Sequence, residues 1–239
     1  MLRNSKELRE YKLVASDGEI GHSLEFYFDD RKWIIQYFIV DTGSWLKNHK
    51  AIVSPSLILE PDRAKREFPL KITREWINTS PKVEEETPVS LQKKREMGAY
   101  DGTPAYLQAN ELFEIGREKQ GVENTEKNKP RKKIADSPHL RSTGGITGYA
   151  IKAADGTIGQ IEDFIIDDDK WVIRFLVVDT GGKKVLLGPE WIIQFDSKKR
   201  TAQINLPRQR VTDAPEYDPE QAVNMEMENR MYEYYGSPA

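Results

Sequence analysis

The chain repeats itself. Read with a constant offset of 138, residues 11 to 43 recur at 149 to 181, with Tyr11, Ala15, Asp17, Gly18, Ile20, Gly21, Phe26, Asp29, Asp30, Lys32, Trp33, Ile35, Val40, Asp41, Thr42 and Gly43 unchanged. After a four-residue difference in loop length the match resumes. Val53, Pro55, Leu70, Ile72, Ile77 and Pro81 then face Leu187, Pro189, Ile204, Leu206, Val211 and Pro215, and Tyr100, Gly102, Pro104 and Ala105 face Tyr234, Gly236, Pro238 and Ala239. Two copies of this size describe two modules, because a solenoid needs at least about three short repeats to build a continuous core. The expected layout is a first domain over 1–105, a flexible charged linker over 106–148 and a second domain over 149–239.

Each copy reads as β structure. Asp17-Gly18 and Asp155-Gly156 are turn dipeptides ahead of β-rich runs, and Asp29-Asp30 and Asp167-Asp168-Asp169 mark a second turn into an apolar strand. In that strand Trp33, Ile35, Tyr37 and Ile39, and likewise Trp171, Ile173, Phe175 and Val177, alternate as a core face. The opposite face carries one polar residue, Gln36 or Arg174, among apolar neighbours, which is too apolar for an open antiparallel sheet. Ile34, Phe38, Val40, Val172, Leu176 and Val178 are therefore the candidate interaction face. Each copy is expected to end in a short helix packed on its own sheet. In the second, Asp218 is the expected cap, Pro219 the first helical residue, Val223, Met227, Met231 and Tyr234 the apolar stripe, and Gly236 the stop. In the first, Thr87, Pro88 and Ser90 open it, Leu91 and Met97 follow and Gly102 ends it.

Charge excludes some classes of partner. The two repeat cores, 11–80 and 149–215, each hold ten basic and ten acidic residues, while 216–239 holds one basic and six acidic. A neutral core with an acidic tail lacks the electrostatic footprint of a nucleic-acid binder, so no specific nucleic-acid binding is expected. The basic run from Lys127 to Lys133 reads as a solvated tether. The chain has no cysteine, which removes disulfides and thiolate chemistry and points to a reducing, cytoplasmic setting. No segment reaches the roughly 18 apolar residues of a membrane span.

Few motifs offer chemistry. Asp41-Thr42-Gly43 and Asp179-Thr180-Gly181 repeat the signature with which aspartic proteases place two carboxylates around one water. The same tripeptide is an ordinary strand-to-turn exit, and Leu186-Leu187-Gly188 follows Asp179 too closely to be the supporting segment of such an enzyme. Asp167-Asp168-Asp169 lacks the spacing and bidentate glutamate of a calcium loop and reads as a solvated hairpin turn. His22, His49 and His139 match no metal spacing. The expectation is a chain with no catalytic residues, no cofactor and no metal.

The order D-G-x-x-I-G, aromatic strand, acidic turn, apolar strand ending V-D-T-G, then L-G-P-x-W-I resembles the PRC-barrel family. That family includes the cytoplasmic domain of the photosynthetic reaction-centre H subunit and the C-terminal domain of ribosome-maturation factors. The resemblance runs over Tyr11 to about Ile77 and Tyr149 to about Val211. It is carried best by Asp155, Gly156, Ile158, Gly159, Asp163, Asp179, Gly181, Leu187, Pro189 and Trp191; in copy one Leu57 and Ser54 replace the tryptophan and the glycine before proline. It implies a mainly β chain of two small barrels, each followed by a short helix, acting as a non-enzymatic adaptor. The partner would be a protein, or one barrel the partner of the other. It also raises two further roles: a peripheral accessory of a photosynthetic or other membrane electron-transfer complex, and a ribosome-assembly adaptor.

Overall fold

The computed structural model describes residues 1–43, 50–78 and 139–236; the expected first tail helix and most of the expected linker lie outside them. The chain opens with β1 (Leu2–Asn4) and α1 (Ser5–Arg9), followed by β2 (Lys12–Ala15), β3 (Gly18–Asp29), β4 (Ile35–Asp41), β5 (Lys50–Val53), β6 (Glu67–Pro69) and the single turn α2 (Arg74–Asn78). The second repeat retraces this order with one strand added, β12, as β7 (Leu140–Ser142), α3 (Thr143–Ile146), β8 (Ala150–Ala153), β9 (Gly156–Asp167), β10 (Val172–Asp179), β11 (Lys184–Leu187), β12 (Ile192–Asp196), β13 (Thr201–Ile204) and α4 (Arg208–Thr212). It ends in α5 (Met225–Tyr235). Residues 139–148, expected as linker, thus form β7 and α3.

The molecule is mainly β, in two sheets of order β5-β4-β3-β2-β6 and β11-β10-β9-β8-β13-β12. Neighbours pair antiparallel except β2 with β6 and β8 with β13, which run parallel. The end strands of each sheet are not paired with each other, so neither sheet closes on itself. Among the described residues no helix is long and apolar enough to cross a membrane.

The recurring motif residues hold this backbone. The Asp17 and Asp155 carboxylates accept the amides of Arg74 and Arg208, both at 2.8 Å, so the first residue of each Asp-Gly turn caps the start of α2 or α4 in its own repeat. Gly21 and Gly159 lie where β3 and β9 cross the ends of β4 and β10. A Cβ on Gly21 would stand 1.8 Å from the Asp41 carbonyl oxygen, and one on Gly159 would stand 1.9 Å from that of Asp179. Only glycine permits that approach. The D-G-x-x-I-G and D-T-G motifs therefore meet in space as one packing device, used twice.

Alternation along the second hairpin strand breaks in the middle. Tyr27 pairs with Tyr37 but Phe28 with Ile35, which leaves Gln36 unmatched; Ile165 pairs with Phe175 and Ile166 with Ile173, which leaves Arg174 unmatched. The polar residue of each strand is thus a β-bulge, and a bulge moves the residues beyond it to the other face. Phe38 and Val40 accordingly join Trp33 and Ile35 in the main core, while Tyr37 and Ile39 form a smaller cluster with Tyr27, Ile52 and Leu140. The expected division into a core face and an interaction face is corrected here. Phe38, Val40, Leu176 and Val178 are fully buried in one core that runs through both repeats.

The tail helix begins later than its sequence suggested. Asp218 accepts the amide of Glu220 at 3.0 Å in a tight turn, and the cap is Asn224, whose side chain accepts the Met227 amide at 2.9 Å. Of the expected stripe, Met231 is buried, Met227 and Tyr234 pack partly buried against the core and Val223 is buried just ahead of the helix, while Tyr235, not expected, is buried; Gly236 ends the helix with φ at 75°. The helix rests on its own repeat: Arg174 Nε donates to Glu228 at 3.0 Å, and the Phe175 and Tyr232 rings lie 6.1 Å apart.

Candidate functional site at the junction of the repeats

Both repeats give their first strand away. β1 does not join its own sheet but pairs antiparallel with β9, placing Leu2, Arg3 and Asn4 opposite Asp167, Ile166 and Ile165. β7 pairs in the same way with β3, placing Leu140, Arg141 and Ser142 opposite Asp29, Phe28 and Tyr27. Under the offset of 138 the two registers are identical. On β3 and β9, one edge carries β4 or β10; the other carries β2 or β8 along its first half and the exchanged strand along its second. Without the exchange each long strand would expose unpaired amides and carbonyls.

A pseudo-two-fold axis passes between Ile34 and Val172. These equivalent residues form an antiparallel bridge. Beside it the Ile35 amide donates to the Trp171 carbonyl at 2.7 Å, and the Ile173 amide donates to the Trp33 carbonyl at 2.8 Å. Both tryptophans are left-handed, with φ of 58° and 55°. A bulky residue seldom adopts that conformation, and it persists only where its surroundings over-determine it. Here each amide is tied to an aspartate carbonyl, Trp33 to Asp29 and Trp171 to Asp167, both at 2.7 Å, and each carbonyl is tied across the axis. The rings cross as well. Trp171 packs edge-on against Phe38 at 4.8 Å and Phe68 at 5.5 Å in repeat one, while Trp33 reaches Phe195 of repeat two at 5.9 Å.

The acidic hairpin turns, expected as solvated, are clasped from the opposite repeat. Asp30 receives Arg141 Nε at 2.5 Å and lies 2.9 Å from His139 Nδ1, and its amide donates to the His139 carbonyl at 2.7 Å. Asp168, its equivalent, receives Arg3 Nε at 3.1 Å and approaches Arg63 at 3.5 Å, and its amide donates to the Met1 carbonyl at 2.9 Å. The Asp168 side chain is wholly buried, whereas that of Asp169 is 61% exposed. Two arginines at one buried carboxylate supply the charge pairing that burial demands. The oxygens of Asp167, Asp168 and Asp169 lie within 4.8 Å of one another, yet Asp168 is engaged by arginine and Asp167 accepts the amides of Asp169 and Lys170.

Further polar links cross the seam beside the exchanged strands. Ser5 donates to the buried Asp163, and Ser142, which matches Asn4 rather than Ser5, donates to Glu25, the equivalent of Asp163. Lys6 of α1 reaches Glu162 at 3.1 Å, beside Lys184 at 2.8 Å. Partial burial pushes the Glu162 carboxyl up, but the two lysines outweigh it and hold it below the usual carboxylate range. Tyr217 is pushed up to about 12 by burial and by the Asp163 charge, opposed by a hydrogen bond with Asn4 of the other repeat.

Of the candidate face, the structure brings Ile34 and Val172 together on the axis; Phe38 meets the opposite repeat through Trp171, and Val40, Leu176 and Val178 lie in the core. The two D-T-G carboxylates are not brought together. Asp41 and Asp179 each stand seven residues from the central bridge on strands that leave it in opposite directions, on the order of 40 Å apart if those strands ran straight. Each instead accepts the amide of its own following glycine, Gly43 at 2.9 Å and Gly181 at 2.8 Å, as an ordinary turn exit does. Sequence reasoning missed Arg3 and Arg141. The signal was Leu2-Arg3 against Leu140-Arg141, the same offset continued nine residues upstream. No protein-family model matches the chain, and no curated protein matches it.

Proposed function

We propose that the chain is a non-enzymatic adaptor of the PRC-barrel kind, two open barrel-like repeats welded into a single rigid body that presents a protein-binding surface. One observation carries this reading: the residues common to both repeats are spent on structure. Asp17 and Asp155 cap, Gly21 and Gly159 admit a crossing strand, Asp41 and Asp179 close turns, and Asp30, Asp168, Trp33 and Trp171 join the repeats. A duplicated chain that devotes its shared residues to rigidity supports a role in holding a partner rather than turning over a substrate.

The outer surface offers one repeated apolar feature. Leu59 and Ile193 are equivalent positions, 46% and 61% exposed, and among the described residues no other equivalent pair exposes two large apolar side chains. Apolar side chains held in water at matching places on a rigid frame suit a bivalent protein contact. Affinity capture from the native host, run in parallel with the parent and with Leu59→Glu/Ile193→Glu, tests this. A stoichiometric, salt-resistant protein partner captured by the parent and lost from the variant supports the adaptor. Equal capture by both removes this surface, and recovery of no protein removes the adaptor reading.

A further inference from the structure

The described residues of the junction lie on both sides of the chain that connects the repeats. The contacts described across it are strand pairings, backbone and side-chain hydrogen bonds, ring contacts and ion pairs between residues 1–78 and 139–236, and sixty residues separate Asn78 from His139. A segment of that length sets no geometric requirement on which copy of repeat two a given repeat one meets, since sixty residues can reach roughly 200 Å when extended. We propose that the junction is a self-recognition surface that also works in trans: repeat one accepts repeat two from a second copy of this chain, through the same exchange of β1 and β7.

Three features fit that occupant. The surface is self-complementary by pseudo-symmetry, since the strand pairing of Leu2, the arginine-aspartate clasp of Arg3, the Ile34 bridge and the backbone bond to the Trp33 carbonyl recur at the equivalent residues Leu140, Arg141, Val172 and Trp171. Opening the contact in one chain uncovers the second halves of β3 and β9 together, two edges whose fitting strand is carried by any other copy. A two-chain arrangement rebuilds every contact without a new one, which is the condition under which exchange of elements between identical chains carries little cost. The covalent link between the repeats favours the one-chain form at low concentration, because pairing within a chain needs no encounter between two chains.

Two full-length variants report on this. Asp30→Arg breaks the first clasp on repeat one and Arg141→Asp breaks it on repeat two, so each chain alone holds two like charges face to face. A two-chain complex of one variant with the other can place the introduced arginine against the introduced aspartate in one junction and leave the second junction native. Equimolar co-refolding, read by light scattering and native mass spectrometry, is expected to give a mixed dimer of twice the 27.5 kDa chain mass, at least about tenfold enriched over the dimer from either variant alone. A mixture that stays monomeric and melts as the sum of its parts, while the double variant within one chain regains the parent's melting temperature, overturns the proposal. A second measurement stands apart from variant folding. The parent, given a protease site between residues 106 and 138 and then cut, should elute as one complex of both halves at micromolar concentration; separation of the halves overturns the proposal.

Discussion

Trp33 and Trp171 exchange rings across the axis that relates them: each adopts the left-handed conformation in its own hairpin and packs its indole against aromatic side chains of the other repeat. Hairpin position and ring contact impose opposite demands there. The backbone favours glycine, the core needs a large ring, and the cross-axis hydrogen bonds to Ile35 and Ile173 hold the compromise.

That conflict reverses the usual order of substitutions at Trp171. Removing the ring in Trp171→Ala should cost about 3–5 kcal/mol. Trp171→Gly removes more side chain yet relieves the positive φ, so it should be more stable than the alanine variant by about 1 kcal/mol. Urea denaturation of the three proteins measures the order; alanine above glycine contradicts the account of the strain.

Close approach, rather than chain freedom, governs the glycine shared by the crossing strands. Gly159→Ala would drive a methyl group into the Asp179 carbonyl and should leave little folded protein, whereas Gly182→Ala, with open space around it, should melt within a degree or two of the parent. Circular dichroism melts of both variants check the pair.

Burial separates the adjacent aspartates of the second hairpin. Asp168→Asn leaves Arg3 and Arg63 facing a neutral amide in a buried site and should cost about 3 kcal/mol; Asp169→Asn, at an exposed side chain, should stay within about 0.5 kcal/mol. Because one core runs through both repeats, unfolding of either variant should remain a single transition by tryptophan fluorescence and by circular dichroism.

Acid should weaken the seam through Glu162. Its folded carboxyl is held low by Lys6 and Lys184, so the folded state binds its proton less readily than the unfolded chain does. The stability this supplies is complete above the ordinary carboxylate range and disappears as pH falls through the depressed folded value. Glu162→Gln should therefore be less stable than the parent near neutrality, by about 0.5 kcal/mol for so partly exposed a pair, and the gap should close in acid. Paired denaturant titrations at several pH values test the sign; a gap that widens in acid refutes it.

Much of the local structure was readable in the sequence, and the site was not. Asp17-Gly18 and Asp155-Gly156 carry turn chemistry in adjacent residues, and the Met231 stripe carries helical period, so hairpins and the second tail helix were visible from composition and spacing. The bulges at Gln36 and Arg174 were hidden because strict alternation assumes that a strand keeps one register, and each unmatched residue is known only from the strand opposite. The exchange of β1 and β7 escaped for a similar reason. Three residues hold too little pattern to announce a strand, and their partners lie far off in sequence, Asp167 for Leu2 and Tyr27 for Ser142. Asp30 and Asp168 looked like solvated turn residues because turn propensity does not say what packs over a turn.

The exchange of first strands also sets an order in time. While the chain is being synthesised, β2 and β4 can settle on β3 once their residues have left the ribosome, but Tyr27, Phe28 and Asp29 wait for Leu140, Arg141 and Ser142. At about 5–20 residues per second that interval lasts on the order of ten seconds. For that period the first repeat carries a half-bare strand edge and an unfilled place for the Trp171 ring, so the growing chain passes through an open form that the finished molecule conceals.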